Sequence, residues 1–178
     1  MKVKLQAFNR VFVTAFDWKS QKHDIFGSTN RCYGLGYIIY LDYDGLELDW
    51  ITAELMEMQE LFGLSHFYVF ETNHGYHAVC FDKVSLLTYV EVLKNSSADI
   101  NFIDVPLKYG KKVWTLRWSE KDGEKPKFVR AVLSTRCNRN KSKAHIDFVE
   151  KMYPELIGKI DREAQDKSDK IILSNYKI

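Results

Sequence analysis

The sequence predicts an α+β fold in which an antiparallel sheet is packed against helices. The first observation is the order of segments over residues 37–118, where strand-like and helix-like runs follow one another as β-α-β-β-α-β. The second is a pair of apolar runs joined by a short glycine-containing connection, which indicates a β-hairpin. The third is the length of 178 residues with a hydrophobic fraction of 46%, which suits one domain with its own core.

The first half of the chain predicts strands around one long helix. Val3 to Phe16 is aromatic and β-branched and predicts one or two strands, and the polar stretch from Asp17 to Gly34 predicts a loop. Tyr37 to Asp42 predicts a buried strand because it is almost wholly apolar. Apolar residues recur at helical spacing from Leu48 to Phe62, and Gly63 is a suitable C-cap, so a helix is expected there.

The second half predicts the hairpin, two further helices and several short strands. Ser85 is a suitable N-cap for a helix that runs to Lys94. A charged C-terminal tail is expected over residues 154–178. The other expected elements are strands over His66–Glu71, Tyr76–Phe81, Ile100–Val105, Val113–Trp118 and Phe128–Ser134, and a helix over Lys143–Met152.

The predicted element order corresponds to a split βαβ core of the ferredoxin-like or RNA-recognition (RRM) type, with extra N-terminal strands and a C-terminal helical segment. No stretch has the apolar length of a membrane span, and none has the pattern of a signal peptide. Three widely spaced cysteines match no zinc pattern and no disulfide framework, which favours a reducing, cytoplasmic location.

The split βαβ fold hosts many functions, so the function of this chain has to be argued from particular residues.

The charge of the chain is unevenly distributed. Residues 108–143 contain twelve Lys or Arg and three acids, a net charge of +9, whereas the rest of the chain carries −7. Such asymmetry indicates an anionic partner, most commonly nucleic acid, although a solvated basic loop would give the same pattern. The candidate nucleic-acid-binding residues are Lys111, Lys112, Lys125, Lys127, Arg130, Arg136 and Arg139.

Two carboxylates end the first core strand. Asp42 and Asp44 are two residues apart, so their side chains share one face of the strand. A divalent cation would remove the repulsion between them, and oxygen ligands suit Mg²⁺ or Mn²⁺. The alternative is a strand that runs into an Asp-Gly turn with both acids in water.

Three more features follow the aspartate pair. His77 begins a strand directly after a turn that contains Asn73 and Gly75, where backbone N–H groups and an imidazole could bind phosphate. The alternative is a buried, hydrogen-bonded structural histidine. Asp104 follows an apolar pair and is the preferred third acid, with Asp99 as the alternative. Arg117 lies on the predicted strand Val113–Trp118, and Lys121 follows that strand. Together they could neutralise the charge of a triphosphate.

These residues resemble the archaeo-eukaryotic primases, including the primase-polymerases of plasmids and viruses. An apolar strand that ends in Asp-x-Asp is similar to Ile38 to Asp44, and a small residue, any residue and then His is similar to Gly75-Tyr76-His77. The acid after an apolar residue has its counterpart in Asp104 or Asp99. A Leu-Arg segment followed by a Lys is similar to Leu116-Arg117 with Lys121, so the resemblance covers residues 37–121.

The resemblance implies a metal-dependent DNA primase or primase-polymerase catalytic domain, a nucleotidyltransferase that joins nucleotides on a single-stranded DNA template. Asp42, Asp44 and Asp104 would be the catalytic, metal-binding acids, and the cofactor would be Mg²⁺ or Mn²⁺. Single-stranded DNA and nucleoside triphosphates would be the partners, and a replicative helicase is a further candidate partner. The residues expected to bind the incoming nucleotide are His77, Gly75, Asn73, Arg117 and Lys121.

Two other functions fit parts of the pattern. A binding module or replication initiator on the same fold would use Tyr76, Trp114 and Trp118 to stack bases, and the basic region for affinity. A rolling-circle nuclease with a tyrosine nucleophile would need a His-apolar-His metal pair. The chain has His74-Gly75-Tyr76-His77 instead, which disfavours that reading.

Overall fold

A computed structural model of the chain describes residues 2–7 and 10–15, for which the backbone alone is considered, and residues 27–32, 36–135 and 140–158. The strands are β1 (Lys2–Ala7), β2 (Arg10–Ala15), β3 (Gly27–Thr29), β4 (Tyr37–Asp44), β5 (Phe67–Glu71), β6 (Gly75–Val84), β7 (Thr115–Arg117) and β8 (Lys127–Val132). The helices are α1 (Leu48–Phe62), α2 (Leu86–Lys94), α3 (Ile100–Lys108) and α4 (Lys143–Met152), with a 3₁₀ turn over Pro154–Leu156. The predicted α+β class is therefore confirmed.

The central sheet has four strands in the order β4-β6-β5-β8, and all neighbours are antiparallel. Because β6 lies antiparallel between β4 and β5, those two strands run parallel to each other, and α1 connects them. The predicted hairpin is the β5–β6 pair. The N-terminal strands pair with each other as the β1–β2 hairpin.

The predicted helix boundaries on either side of the hairpin are confirmed. Gly63 ends α1 with a left-handed φ of 64°, and its N–H donates to the carbonyl of Gln59. Ser85 caps α2, and its hydroxyl accepts a hydrogen bond from the N–H of Thr88 at 3.1 Å. The C-terminal helix α4 also has the predicted bounds.

Both faces of the central sheet are buried. One face packs against α1 and α2 through side chains that include Ile39 and Leu41 of β4. The other face packs against β7, α4 and the 3₁₀ turn through side chains that include Ile38 and Tyr40. Since side chains alternate along a strand, Asp42 lies on the second face, beyond Tyr40 and across the sheet from α1.

Three predicted elements are wrong or incomplete. Residues 100–105 were expected to form a strand, but they lie in α3, because the carboxylate of Asp99 accepts hydrogen bonds from the first N–H groups of that helix. Residues 27–29, expected in a loop, form β3 and pair with β7. That pairing takes β7 out of the central sheet, where β8 is the fourth strand instead.

No helix in the described ranges is long and apolar enough to cross a membrane. The tail expected over 154–178 begins with the 3₁₀ turn, and everything past residue 158 lies outside the described residues.

Candidate functional site

The aspartate pair lies where β4 ends. Asp42 is partly buried, with 31% of its side chain exposed, whereas Asp44 is exposed. Gly45 follows with a φ of +68°, a left-handed conformation that favours glycine and ends the strand. The two carboxyl groups are therefore held at the end of a buried strand, as the spacing predicts.

His77 lies directly opposite Asp42. The two residues are register partners on the neighbouring strands β4 and β6, and His77 Nε2 is 3.4 Å from Asp42 Oδ1. The imidazole is buried and lies nearly perpendicular to the Trp118 ring, with 6.2 Å between ring centroids. Within the described part of the chain, its Nδ1 has no hydrogen-bond partner. A buried imidazole with one ring nitrogen against a carboxyl is the centre of this site.

The charge states of this pair are set mainly by burial. Burial, together with the charges of Asp44 and Asp99, raises the pKa of Asp42 to about 6, and the charges of Arg117 and Lys121 oppose the rise. Burial also lowers the pKa of His77 to about 3, and Arg117 acts in the same direction. At neutral pH the contact therefore joins a carboxylate and a neutral imidazole, and His77 can exchange hydrogen bonds without carrying charge.

Gly75 is needed for the close approach of two backbones. It is the register partner of Asp44, and a Cβ atom added to Gly75 would lie 1.8 Å from the carbonyl oxygen of Tyr43. The turn before it is closed by a hydrogen bond from Thr72 N–H to the Gly75 carbonyl at 2.8 Å. Gly75 thus sets the register that places His77 beside Asp42.

Two turns meet beside the hairpin and form a groove. The side-chain amide of Asn73 donates to the carbonyl of Lys121 at 3.3 Å, and Lys121 pairs with Glu124 in a tight turn. The groove has a volume of about 490 Å³. Its lining residues are Glu71, Thr72, Asn73, Glu124, Lys125 and Lys127. Local sequence patterns gave no sign of this groove, because residues from two distant turns form it.

Of the two candidates for the third acid, Asp99 is the one that contacts the aspartate pair, and the preferred candidate Asp104 is not. The N–H of Asp99 donates to the carbonyl of Asp42 at 2.7 Å, and the charge of Asp99 contributes to the raised pKa of Asp42. Its carboxylate also caps α3. Asp104 is an exposed residue of α3 rather than a strand residue. The strand that was expected to carry Asp104 towards the aspartate pair is absent from the described residues.

The predicted basic residues have different surroundings. Lys111 and Lys112 are exposed just beyond α3. Lys125 donates to the carbonyl of Met152 at 2.8 Å and lies over the ring of Tyr153. Arg130 contacts Asp49 of α1 at 2.8 Å. Arg136 and Arg139 lie outside the described residues.

The aromatic residues near the site are mostly inaccessible. Trp114 and Trp118 are buried, so neither ring can stack on a base, and Tyr76 is half-buried. The Trp118 N–H donates to Ser28 Oγ at 2.6 Å, which anchors β3 beneath the site. Tyr153, a buried residue that the sequence did not single out, packs against Trp118 with 5.8 Å between ring centroids.

The donor chemistry of the aspartate pair fits a hard divalent cation. Two adjacent carboxylates, one of them with a pKa raised partly by the other, are relieved by a positive ion. Mg²⁺ is often held by one or two carboxylates, with water and substrate phosphates completing its shell. Across residues 27–32, 36–135 and 140–158, no three His, Cys, Asp or Glu side chains come together as a ready-made metal cluster.

The site therefore combines an aspartate pair, a buried imidazole and the charges of Arg117 and Lys121 on one face of the sheet. Comparisons of the chain with protein-family models, with curated proteins and with solved structures each found no match.

Proposed function

We propose that the chain is the catalytic domain of a metal-dependent DNA primase or primase-polymerase, which joins nucleotides on a single-stranded DNA template. The observation that carries the proposal is the pairing of Asp42 with His77 across adjacent strands, with Asp44 on the same face of β4. This juxtaposition brings together two motifs that lie far apart in the sequence.

The strand order supports the same proposal. An antiparallel strand between two parallel strands joined by a helix is a split βαβ unit, and β4, α1, β5 and β6 have that arrangement. The fourth strand, β8, lies beside β5 rather than beside β4. β4 is an edge strand of the central sheet, and at the aspartate pair its outer edge is contacted by Asp99, whose N–H donates to the carbonyl of Asp42 at 2.7 Å.

The residues of the site have distinct roles in this proposal. Asp42 and Asp44 would hold Mg²⁺ or Mn²⁺, which activates a 3′-hydroxyl and stabilises the charge on departing pyrophosphate when it is bound. His77 is neutral and would hydrogen-bond a phosphate oxygen or orient Asp42. Arg117 and Lys121 would neutralise the triphosphate, and the groove beside Asn73 gives the nucleic acid a polar surface.

The test is nucleotide incorporation on primed and unprimed single-stranded DNA with Mg²⁺ or Mn²⁺. We expect the wild-type chain to incorporate nucleotides, and Asp42→Asn and Asp44→Asn to lose at least about 100-fold, the scale of losing electrostatic stabilisation at a reacting centre. Asp147→Asn changes an exposed acid of α4 and serves as the matched control. Failure of the wild-type chain to incorporate any nucleotide under these conditions would refute the polymerase.

A second candidate function is a nucleic-acid-binding or replication-initiator module without polymerisation. The observation that favours it is the position of Asp104 on the exposed surface of α3, which leaves the aspartate pair without its expected third acid. Titration with Mn²⁺ separates the two functions. A catalytic site binds Mn²⁺ through Asp42 and Asp44 and loses it in Asp42→Asn, whereas a binding module retains DNA affinity and shows no such Mn²⁺ site.

A further inference from the structure

A groove lined mainly by apolar side chains lies beside α3. It has a volume of about 270 Å³, and Phe102 and Val105 line it from the helix. Lys111 and Thr115 line it from the chain that leads out of α3 into β7. Tyr109 follows Val105 by four residues, and its N–H donates to the Val105 carbonyl at 3.2 Å, so the tyrosine continues the same face of the helix.

A sharp turn after α3 brings Lys111 to the groove. Gly110 and Lys112 both have a left-handed φ, of 64° and 49°, which is uncommon for a residue other than glycine. The N–H groups of Lys111 and Lys112 both donate to the carbonyl of Pro106, at 2.9 and 3.3 Å. Both lysines are exposed, and among the described residues neither has an ion-pair partner.

The groove is positively charged. No acid is among the described residues that line it, and from residue 105 to residue 119 the chain has four Lys or Arg and no Asp or Glu. Lys108 has Asp104 one helical turn before it, so Lys111 and Lys112 are the cations that a ligand would meet. Such a surface attracts an anion, and its apolar lining suits an anion that also has an aromatic part.

Single-stranded nucleic acid combines these two properties. Proteins that bind it use cations for the phosphates and aromatic side chains on which the bases stack. Tyr109 is 66% exposed, unlike Trp114 and Trp118, the buried rings that the sequence singled out for stacking. The bases of a duplex are stacked on one another, so their faces are not available to a tyrosine ring.

We infer that the α3 groove binds single-stranded DNA, with a base stacked on Tyr109 and backbone phosphates paired with Lys111 and Lys112. The residues that define the α3 groove are Phe102, Val105, Tyr109 and Lys111.

The α3 groove begins beside the aspartate pair. Asp99, which caps α3, donates its N–H to the carbonyl of Asp42 at 2.7 Å, and Tyr109 lies about 15 Å further along the helix axis. A strand in the groove would therefore lead towards Asp42, as the template of the proposed reaction would. In assigning that strand as template the inference rests on the proposed function, whereas binding itself requires no polymerisation.

The experiment measures the Kd of the full chain for a labelled oligothymidine of about 12 nucleotides by fluorescence anisotropy, within the usual range of site sizes. An abasic oligonucleotide of the same length keeps the phosphates and removes the bases. We expect Tyr109→Ser to weaken oligothymidine binding by about ten-fold and to leave abasic binding unchanged, because one stacked base is lost. Tyr109→Phe keeps the ring and should bind like the wild type.

The salt dependence separates stacking from charge. Tyr109→Ser should leave the slope of log Kd against log salt unchanged, whereas Lys111→Gln should lower it by about 0.7, the value for one phosphate contact. Trp50→Ser removes a 64% exposed ring of α1 outside the groove and is the matched control, with no expected change. Ultraviolet cross-linking of an oligonucleotide that contains iododeoxyuridine should attach the base to Tyr109, as mass spectrometry identifies.

Circular dichroism checks that the variants are folded, which the exposed position of Tyr109 favours. Equal Kd values for oligothymidine with the wild type and Tyr109→Ser would overturn the inference, and so would equal losses in Tyr109→Ser and Trp50→Ser. Duplex binding as tight as single-strand binding would also overturn it. Binding to phosphatidylserine vesicles that Tyr109→Ser abolishes, without DNA binding, would assign this face to a membrane instead. A wild-type chain that binds DNA through Tyr109 but incorporates no nucleotide would lose the polymerase and keep the groove.

Discussion

At the residue scale, Asp42 and His77 have opposite pKa shifts with one main cause. Burial disfavours the charged form of each, so the pKa of the acid is raised to about 6 and the pKa of the imidazole is lowered to about 3. At neutral pH the ionised Asp42 costs folding free energy, and in mild acid the neutral His77 does so. Residues that keep such costs at the end of a strand are candidates for function rather than for stability.

The cost of Asp42 predicts a pH-dependent gain in stability for Asp42→Asn. The folded chain binds this proton more tightly than the unfolded chain, so Asp42 lowers the free energy of unfolding as pH rises from about 4 to about 6. The variant should match the wild type near pH 4 and exceed it by about 1–3 kcal/mol above pH 6.5. Urea unfolding across this range measures the difference.

His77 acts in the other direction, because the unfolded chain binds its proton more tightly, so its contribution to stability rises with pH from about 3 to about 6.5. We expect this contribution to be largely common to the wild type and Asp42→Asn, so the difference between them reports Asp42. Asp147→Asn, at an exposed position, is the control. A stability difference for Asp42→Asn that is the same at pH 4 and pH 8 would contradict the prediction.

At the element scale, α3 shows where local patterns fail. The sequence Ile-Asn-Phe-Ile-Asp-Val is short and apolar enough for either a strand or a helix. The deciding interaction is the Asp99 cap, and Asp99 is itself held by a hydrogen bond to the carbonyl of Asp42. Helix α1 was predictable from its length, its helical spacing of apolar residues and its Gly63 C-cap, and α2 from its Ser85 N-cap.

The two roles available to Asp99 can be separated by two substitutions. Asp99→Ala removes the cap of α3 and should cost about 1 kcal/mol of unfolding free energy, whereas Asp99→Asn keeps a capping oxygen and should cost much less. Thermal and urea unfolding measure both. If Asp99 also serves the proposed reaction as an acid, Asp99→Asn loses nucleotide incorporation while it remains stable, and Asp104→Asn loses neither. The capping role would be refuted by equal stability of the Ala and Asn variants.

At the scale of the whole molecule, the central sheet brings together residues that the sequence separates. The sequence predicted both strands and both residues, but it did not predict that Asp42 and His77 are register partners, which follows from β6 lying beside β4. The sequence did not predict that β7 pairs with β3 or that β8 pairs with β5. These pairings are contacts between strands that lie far apart in the sequence, so a short stretch of residues does not reveal them. The groove between Asn73 and Lys127 was missed for the same reason.

The uneven charge of the molecule leads to a prediction for DNA binding that distinguishes free from compensated cations. Lys111 and Lys112 are exposed in the basic region, whereas Arg130 is bonded to Asp49 and to the hydroxyl of Thr52, both at 2.8 Å. If the basic region contacts phosphates, Lys111→Gln/Lys112→Gln should reduce the salt slope of single-stranded DNA binding by about 1.4, from about 0.7 per phosphate contact. Arg130→Gln should reduce it by less, because its guanidinium already has an anionic partner.

Fluorescence anisotropy of a labelled oligonucleotide over a series of NaCl concentrations gives these slopes. Lys94→Gln, at an exposed lysine of α2 that pairs with Glu91, lies outside the basic region and is the control. An unchanged slope in the double lysine variant would show that this part of the region does not contact phosphates. A reduction by Arg130→Gln as large as that of a free lysine would show that the Asp49 pair opens when DNA binds, and that α1 and β8 exchange an internal contact for an external one.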